Sequence, residues 1–471
     1  MINSDEKYIE IVPSERQLAH QSLEFYAFFH FTINTFTGKE WGDGTENPQI
    51  FNPVRMDANQ WIRGIKAAGM RGAILTCKHH DGFCLWPSNY TLHSVKSSPY
   101  RNGTGDIVKE VSEACHREGL KFGIYLSPWD RNHPSYGYGD EYNNYFIQQL
   151  EELLTGYGEI FSVWLDGACG EGSNGKKQVY DWQRIYDTVR RLQPKACITV
   201  CGPDIRWCGN EAGITRASEW SVVPEYLCRT ELIQEKSQKE DNEEFRRREM
   251  KSTDQDLGSR EKLAEADSLI WYPAEVNTST RPGWFYHPEE DDQVKTVEEL
   301  LQIYYGSVGG NSTFLLNIPP TGEGLLHEKD IEVLRLLGQQ LEHMFSRNIA
   351  SQATITADHE EEDHPVSMVK TEDETYYKAP DGQRNVAITV RFGQQECVRA
   401  LILKEHIRLS QRIERFEIWA GNGSQLELLQ EGTVIGYKRI VQVPSVECDR
   451  LIIKITDSRV CPTVSFLGVY V

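Results

Sequence analysis

Basic residues are scarce in this sequence: 50 lysines and arginines stand against 70 aspartates and glutamates, for a formal net charge of −20. Binding to nucleic-acid phosphates or to an anionic membrane needs a basic face, so neither is expected as the main partner. No run of about 18 consecutive apolar residues occurs, so no membrane-spanning helix is expected. The hydrophobic fraction of 39% is still enough for a large core, which excludes a disordered chain.

Motifs for metals, nucleotides and export are also missing. The 11 cysteines form no CxxC pair and no Cys/His finger spacing, so neither a zinc site nor any other metal or cofactor is expected. No GxGxxG or GxxxxGKS/T motif follows the first predicted strand. The N-terminal segment MINSDEKYIEIV lacks the basic and apolar regions of a signal peptide. The sequence leaves open whether the protein stays in the cytoplasm or a leader is absent from it.

Short apolar runs alternate with amphipathic stretches between about residues 20 and 345. The pattern predicts strands over 25–31, 72–77, 121–126, 162–165, 197–200, 269–272 and 312–317. It predicts helices over 56–68, 107–118, 142–154, 182–192 and 297–305, with Asp106 as an N-cap and Gly119 just after a C-terminus. Seven or eight strand–helix units favour an α/β fold of the (β/α)8 barrel type over an open doubly wound sheet.

The last third of the chain has a different pattern of apolar and polar residues. A long amphipathic helix over 325–345 would close the barrel, and residues 350–471 then alternate apolar and polar positions in short runs. This alternation is typical of an antiparallel β-sandwich. We therefore predict two domains, a barrel over 1–347 and a sandwich over 348–471. A sugar-binding role and a purely structural role stay open for the sandwich.

A charged stretch over 235–267 interrupts the alternation of predicted strands and helices. Its mixed charge favours a solvated insertion between two barrel strands, and a lid over the substrate is the alternative.

Polar side chains follow nearly every predicted barrel strand, where the chemistry of such barrels takes place. The clearest is Asp166, which directly follows the apolar segment VWL and is succeeded by the small residues Gly167 and Ala168. Paired carboxylates, histidines and tryptophan faces suit hydrolysis of a glycoside. The other candidates after the strands are His30, Glu40, Trp41, His79, His80, Tyr125, Trp129, Asp130, Glu211, Glu275 and Trp284.

Some candidates have simpler interpretations. His30, inside the run FFHF, also fits a hydrogen-bonded core histidine. His79 and His80 are adjacent, and neighbouring residues on a strand point to opposite faces, so they do not readily chelate one ion together. A metal-dependent hydrolase that uses either histidine stays as an alternative.

Six segments together are similar to glycoside hydrolase family 29, the retaining α-L-fucosidases. The resemblance covers most of residues 20–320, in the order that the family has. It implies a barrel with a C-terminal sandwich, and a fucosylated oligosaccharide or glycan as the substrate. The segments are HFTINTFTGKEW, LTCKHHDGFCLWPS, GIYLSPWDRNHP, VWLDGA, GPDIRWCGNEAG and RPGWFYH.

Two of these segments, SPWDRN and GNEAG, resemble the subgroup that acts on α-1,3 and α-1,4 fucosyl branches of Lewis-type glycans. A broad-specificity fucosidase is the alternative, and a non-catalytic fucose lectin on the same scaffold is a more distant one. Enzymes that meet such glycans are exported, so the resemblance implies a periplasmic or secreted location. The oligomeric state stays open.

The resemblance also implies roles for individual residues. Asp166 in VWLDGA would be the nucleophile and Glu211 in GNEAG the general acid/base, with Glu275 in PAEVN as the rival for the second role. Trp129 and Asp130 in SPWDRN would face the neighbouring galactose or the chain beyond it. The fucose pocket would be lined by His30, Glu40, Trp41, His79, His80 and Trp284, with Tyr125 beside them.

Overall fold

The structure is a computed structural model that describes residues 5–242 and 255–471. Its first ten strands are β1 (Phe25–Phe29), β2 (Gly72–Lys78), β3 (Lys121–Leu126), β4 (Ile160–Leu165), β5 (Cys197–Val200), β6 (Arg206–Trp207), β7 (Val222–Pro224), β8 (Leu269–Trp271), β9 (Ala274–Ser279) and β10 (Ser312–Asn317). The α-helices are α1 (Glu6–Ile9), α2 (Glu15–Gln21), α3 (Asn34–Thr37), α4 (Ala58–Ala67), α5 (Ile107–Glu118), α6 (Asp140–Gly156), α7 (Trp182–Leu192), α8 (Thr230–Lys236), α9 (Arg260–Glu265), α10 (Val297–Ser307) and α11 (Glu328–Phe345).

Eight of the strands form a parallel sheet in the order β5-β4-β3-β2-β1-β10-β9-β6. The edge strands β5 and β6 approach each other through a parallel bridge between Thr199 and Ile205, so the sheet nearly closes on itself. Helices cover the outside of the sheet, because a parallel connection between neighbouring strands needs a crossover. The predicted (β/α)8-like fold class is therefore confirmed.

Local signals set the limits of several helices. Helix α5 begins after Asp106, whose side chain accepts a hydrogen bond of 2.9 Å from the backbone N–H of Lys109. It ends at Gly119, which has a φ of 74° in the left-handed region that glycine tolerates. Both predictions for this helix are confirmed, and α7 occupies the predicted range 182–192.

The prediction that residues 269–272 form a barrel strand is wrong. It forms β8, which pairs antiparallel with β7 outside the main sheet. The place in the barrel belongs to β9, whose six residues are all buried although its sequence, AEVNTS, is largely polar. A search for apolar runs misses such a strand, because its inward side chains are stabilised by hydrogen bonds inside the barrel instead of by apolar contact alone.

The barrel strands are buried on both faces, as parallel sheets require. On β1, Tyr26 and Phe28 point into the barrel interior and pack with Trp164 of β4, among others. The alternate residues Phe25 and Phe29 point outward into the larger core beneath the helices. The interior is thus a packed core, and a cavity forms where the strands end.

The C-terminal region is built from antiparallel strands: β11 (Thr354–Ala357), β12 (Tyr377–Lys378), β13 (Val386–Lys404), β14 (Ile413–Asn422), β15 (Gln425–Gly432), β16 (Arg439–Ser458), β17 (Thr463–Val464) and β18 (Phe466–Tyr470). The main sheet has the order β11-β13-β16-β14-β15, with β18 added at β13, and β12 pairs with β17. These sheets enclose a hydrophobic core of their own, in agreement with the predicted sandwich.

A buried charge cluster joins the C-terminal region to the barrel. Glu24, directly before β1, accepts hydrogen bonds from the Nζ atoms of Lys438 at 2.8 Å and Lys404 at 3.3 Å. Burial favours a higher pKa for Glu24, but the two lysine charges outweigh it and lower the pKa to about 2. No helix among the described residues is long and apolar enough to cross a membrane. Of the charged stretch 235–267, residues 243–254 lie outside the described residues.

Candidate active site

A cavity of about 550 Å³ lies at the carboxyl ends of the barrel strands. This is the face at which barrels of this type place their reactive groups, because the loops after the strands meet there. Its walls combine aromatic rings with a few polar and charged side chains, as small-molecule sites do. The lining residues are Phe28, His30, Trp41, His79, His80, Trp164, Asp166, Gly167, Ala168, Val200, Trp207, Glu211, Ser237, Gln238, Asn277 and Trp284.

Asp166 directly follows β4 and lies on the cavity wall with 22% of its side chain exposed. Its Oδ2 accepts a hydrogen bond of 3.0 Å from the hydroxyl of Tyr125, and its Oδ1 accepts one of 2.8 Å from the backbone N–H of Ala168. Burial raises the pKa of Asp166 to about 6, while these two donors act in the opposite direction. The carboxylate is therefore oriented, and mostly ionised at neutral pH.

His80 stands beside this carboxylate, with its Nε2 3.9 Å from Asp166 Oδ2. Its Nδ1 lies 2.7 Å from Ser127 Oγ, and that hydroxyl donates to the carbonyl of Trp129. The proton of His80 must then reside on Nδ1. Burial lowers the pKa of His80 to about 3, so the ring is neutral and Nε2 is an acceptor. Both atoms are acceptors, so a ligand hydroxyl can donate its single proton to either of them.

The other two histidines of the cavity are also neutral. The Nδ1 of His30 lies 2.8 Å from Asn317 Oδ1. The amide nitrogen of Asn317 donates to Ser279 and Trp284, so its Oδ1 faces His30 as an acceptor. Burial lowers the pKa of His30 to about 4 and that of His79 well below its usual value. Among the described residues, the buried Nδ1 of His79 has no hydrogen-bond partner.

Glu211 lies in the loop after β6 and lines the same cavity as Asp166. Its Oε2 accepts a hydrogen bond of 3.0 Å from Trp284 Nε1. The Trp284 ring lies 5.0 Å from that of His30, centroid to centroid. Two carboxyl groups thus share one small cavity with neutral histidines and indole faces, the equipment that glycoside hydrolysis needs.

Comparison with known proteins decides the family. The α-L-fucosidase family model matches residues 15–344. Alpha-L-fucosidase 1 of Arabidopsis thaliana is 38% identical over 470 residues, which cover 98% of this chain and 87% of the plant protein. The chain belongs to the α-L-fucosidase family.

Solved structures agree with this membership. A putative α-L-fucosidase from Bacteroides ovatus is 43% identical, with a TM-score of 0.86 over 99% of this chain and 76% of that one. A family 29 fucosidase from Ruminococcus gnavus, solved in complex with fucose, is 30% identical, with a TM-score of 0.85 over 98% of this chain and 95% of that one. The protein is therefore a glycoside hydrolase that acts on α-L-fucosides.

Glu40 lies behind the cavity wall of this fucosidase. Its carboxylate accepts hydrogen bonds from the backbone N–H groups of Trp284, at 2.8 Å, and Phe285, at 3.1 Å. His287 Nε2 lies 2.7 Å from the same carboxylate, which raises the pKa of His287. Glu40 therefore holds the loop that presents Trp284 to the cavity.

Tyr125 and the SPWDRN segment also support the wall from behind. Tyr125 is fully buried and reaches the site through its bond to Asp166. Trp129 packs edge-on against Trp41, which lines the cavity, with centroids 5.4 Å apart. Asp130 is completely buried and forms a 2.9 Å ion pair with the equally buried Lys78. Asp130 thus contacts the interior of the protein and does not line the cavity.

The rival carboxyl, Glu275, lies inside the barrel. It is fully buried on β9 and does not line the cavity. One of its oxygens accepts a hydrogen bond of 2.8 Å from Trp164 Nε1 and the other accepts one from the hydroxyl of Tyr26. Burial raises its pKa to about 7. Both oxygens of Glu275 are thus engaged inside the barrel, whereas Glu211 lines the cavity.

Several lining residues were not singled out from the sequence. Trp164 lies inside the apolar run VWL, and inward alternation along β4 from Asp166 is the signal that identifies it. Trp207 and Asn277, by contrast, follow predicted strands in the sequence, and Trp207 donates a 2.9 Å hydrogen bond to Asn277 Oδ1, which ties β6 to β9. Ser237 and Gln238 come from the charged stretch, whose composition gives no such signal. The described residues contain no group of three or more His, Cys, Asp or Glu side chains that could hold a metal ion.

Proposed function

We propose that the protein is a retaining exo-α-L-fucosidase that removes α-1,3- and α-1,4-linked fucose from Lewis-type oligosaccharides. The observation that supports this most directly is the position of Asp166, an oriented and largely ionised carboxylate in a one-sugar cavity that also contains Glu211. In retaining glycosidases one carboxylate attacks the sugar and a second carboxyl group handles the protons.

In the first step, an oxygen of Asp166 attacks the anomeric carbon of the fucosyl unit. At the same time, protonated Glu211 gives its proton to the glycosidic oxygen, and the bond to the departing sugar breaks. The product is a fucosyl ester of Asp166 and an ionised Glu211. The donors on Asp166, Tyr125 and the backbone N–H of Ala168, keep the attacking carboxylate in one orientation.

In the second step, ionised Glu211 takes a proton from a water molecule, whose oxygen attacks the anomeric carbon. The ester bond breaks, Asp166 leaves as a carboxylate, and fucose is released with its original anomeric configuration. The hydrogen bonds to Asp166 help here too, because they stabilise the negative charge that returns to it. Trp284 stabilises the charge on Glu211 between the two steps through its indole N–H.

The neutral histidines suit a sugar better than charged ones would. The Nδ1 atoms of His30 and His80 donate to Asn317 and Ser127, so each ring has its Nε2 left as an acceptor for a hydroxyl group of a monosaccharide. The faces of Trp41 and Trp284 supply apolar contact for the ring of the sugar. The transition state carries positive charge on the sugar ring, which the Asp166 carboxylate can stabilise. Neutral histidines add no positive charge that would oppose it.

The linkage preference rests on the SPWDRN and GNEAG segments and on a second space beside the cavity. A polar groove of about 1030 Å³ lies on the other side of Glu211 and Trp284, and both residues line it too. The departing sugar must leave past the acid/base, so this groove has the position for the rest of a branched oligosaccharide. Its remaining lining residues include Arg281, Lys295 and Glu299.

A linkage panel tests the proposal. Fucose release is measured from Lewis-type trisaccharides, from α-1,2- and α-1,6-linked disaccharides and from 4-nitrophenyl α-L-fucoside. We expect the trisaccharides to be preferred; equal rates on every linkage would reject the preference and leave the reaction intact. Asp166→Ala and Glu211→Gln should each lower kcat by about 100-fold or more on the trisaccharides. Proton NMR of the first fucose released should show the α anomer, and the β anomer would exclude retention.

A further inference from the structure

Ser127 is a fully buried serine that directly follows strand β3, behind the wall of the catalytic cavity. It does not line the cavity itself. Its hydroxyl oxygen lies 2.7 Å from His80 Nδ1 and 2.7 Å from the backbone carbonyl oxygen of Trp129. The serine therefore contacts a histidine of the cavity wall without being exposed to a ligand in the cavity.

One arrangement of protons satisfies all three groups around Ser127. The hydroxyl has a single proton, and it donates that proton to the Trp129 carbonyl, which can only accept. The hydroxyl oxygen is then the acceptor for a proton on His80 Nδ1. If the hydroxyl donated to a bare Nδ1 instead, the buried carbonyl would lose this donor. Ser127 and Trp129 together thus place the proton of the neutral His80 ring on Nδ1 and leave Nε2 bare.

The bare Nε2 faces the nucleophile. It lies 3.9 Å from Asp166 Oδ2, the oxygen that also accepts the hydrogen bond from Tyr125. If Nε2 carried the proton, a movement of about 1 Å would bring it to hydrogen-bond distance of the carboxylate. Such a donor would stabilise the negative charge of Asp166 and make the carboxylate a weaker nucleophile. It would also remove the acceptor that His80 offers to a hydroxyl of the sugar.

We propose that Ser127 is a positioning residue that keeps His80 in the Nδ1–H tautomer, so that Nε2 accepts from the fucosyl unit and donates nothing to Asp166. The nucleophile then keeps the hydrogen bonds from Tyr125 and the backbone N–H of Ala168 and gains none from His80. Ser127 acts only through His80, because it touches neither the sugar nor the reacting atoms. The inference rests on the proposed function, which assigns the roles of His80 and Asp166.

Other titratable and charged groups interact with His80 or Asp166. They are His30, His79, Arg131, Tyr125, Cys169 and Cys201. Burial lowers the pKa values of the two histidines and raises those of the tyrosine and the two cysteines, so these groups are neutral at neutral pH. The Arg131 cation opposes a second proton on His80. Glu211 shares the cavity, and its deprotonation belongs to the basic limb in the proposed mechanism.

The tautomer can be measured in the wild-type protein. NMR of isotopically labelled histidine separates proton-bearing from bare ring nitrogens, and His80→Gln identifies the signals of His80 among those of the 13 histidines. We expect a proton on Nδ1 and a bare Nε2 at neutral pH, and a proton on Nε2 would overturn the proposal. This result does not depend on activity. Absence of fucose release by the wild type would instead reject the proposed function.

Ser127→Ala removes the acceptor of the Nδ1 proton. The proton should then move to Nε2, where Asp166 can accept it. On the best substrate of the linkage panel we expect kcat/KM to fall about 10-fold. The acid limb of its pH profile should move to lower pH, because a donor to Asp166 lowers the pKa of that carboxyl. A loss of activity with an acid limb that stays in place, or that moves to higher pH, would overturn the proposal.

Ser135→Ala is the matched control. Ser135 is also buried, and its hydroxyl oxygen lies 2.7 Å from Nδ1 of His133, a histidine that does not line the cavity. The substitution removes a contact between the same two atom types and should leave kcat/KM and the acid limb unchanged. An equal shift of the acid limb in both variants would overturn the proposal. Melting temperatures show whether Ser127→Ala is folded; if it is not, the tautomer measured in the wild type decides.

Discussion

The indole N–H of Trp284 donates a 3.0 Å hydrogen bond to Glu211 Oε2. The same ring lines the catalytic cavity on one side and the polar groove on the other. An indole can only donate, so the bond favours the ionised form of Glu211 over the protonated one. In the proposed mechanism, sugar contact and proton transfer are therefore linked through a single side chain, whose backbone N–H is held by Glu40.

Removal of this N–H should slow the chemical steps more than it weakens binding. Trp284→Phe keeps an aromatic face but leaves Glu211 without the donor, and a hydrogen bond to a charged group is worth about 1.5–3 kcal/mol. We expect kcat to fall about 10-fold or more, with a smaller change in KM. Trp419→Phe is the control, since Trp419 donates a comparable 2.7 Å bond to Glu417 in the sandwich. Equal effects of the two substitutions on kcat would contradict the link.

The acid side of the pH profile should report Asp166. Its pKa is raised to about 6 and the reaction needs its ionised form, so kcat/KM should fall as the pH decreases through about 6. Tyr125→Phe removes a donor that lowers this pKa, and the acid limb should then move to higher pH. Tyr157→Phe removes a similar 2.9 Å bond, to Asp106, which does not line the cavity, and should leave the limb in place. An acid limb unaffected by Tyr125→Phe would exclude Asp166 as the titrating group.

Gly167 should tolerate no larger residue while Ser237 is present. The Cβ of an alanine would meet Ser237 Oγ at 2.1 Å, and an overpacked site typically loses about 1–3 kcal/mol of unfolding free energy. Urea unfolding of Gly167→Ala should show such a loss, and Ser237→Ala in the same chain should restore most of it. Gly156→Ala, at the end of α6 with no neighbour within 4 Å of the added atom, should be nearly neutral. A double variant as unstable as Gly167→Ala would show that another contact is responsible.

Asp130→Asn should destabilise the protein without changing its choice of substrate. The substitution leaves the Lys78 ammonium buried without its counter-charge, and the loss of one partner of such a pair typically costs about 3–5 kcal/mol. Thermal or urea unfolding measures the cost, and the exposed pair of Glu332 with Arg335 gives the comparison: Glu332→Gln should cost less than about 1 kcal/mol. The ratio of kcat/KM on a Lewis trisaccharide to that on an aryl fucoside should stay constant; a selective loss on the trisaccharide would place Asp130 at the sugar.

The alternation of apolar runs and helices was sufficient to predict a parallel barrel, because each strand is buried on both faces and each helix on one. The limits of α5 followed from Asp106 and Gly119, whose capping roles depend only on local geometry. The position of Asp166 could also be predicted, since an acidic residue directly after a buried strand reaches the mouth of a barrel. In each case the physical cause acts over a few neighbouring residues.

The missed features depend on contacts between distant parts of the chain. Strand β9 was missed because Glu275 is stabilised by Trp164 and Tyr26, which are far away in the sequence. The sequence predicted Asp130 at the substrate. Its buried partner is Lys78, 52 positions away, and the residues around Asp130 give no sign of that pairing. The position of Gln238 on the cavity wall likewise comes from tertiary packing, and the charged composition around it indicates only a solvated segment.

The contact between Glu24 and the two sandwich lysines has a practical consequence. Glu24 has a φ of 58°, unfavourable for a glutamate, and its carbonyl accepts a hydrogen bond from Phe314 at the junction of two barrel strands. An isolated catalytic domain would keep this strained backbone at Glu24 and lose both of the lysines that pair with its carboxylate. Expression of the barrel alone should therefore give insoluble or poorly folded material, and engineering of the enzyme should retain the C-terminal region, even for substrates that never touch it.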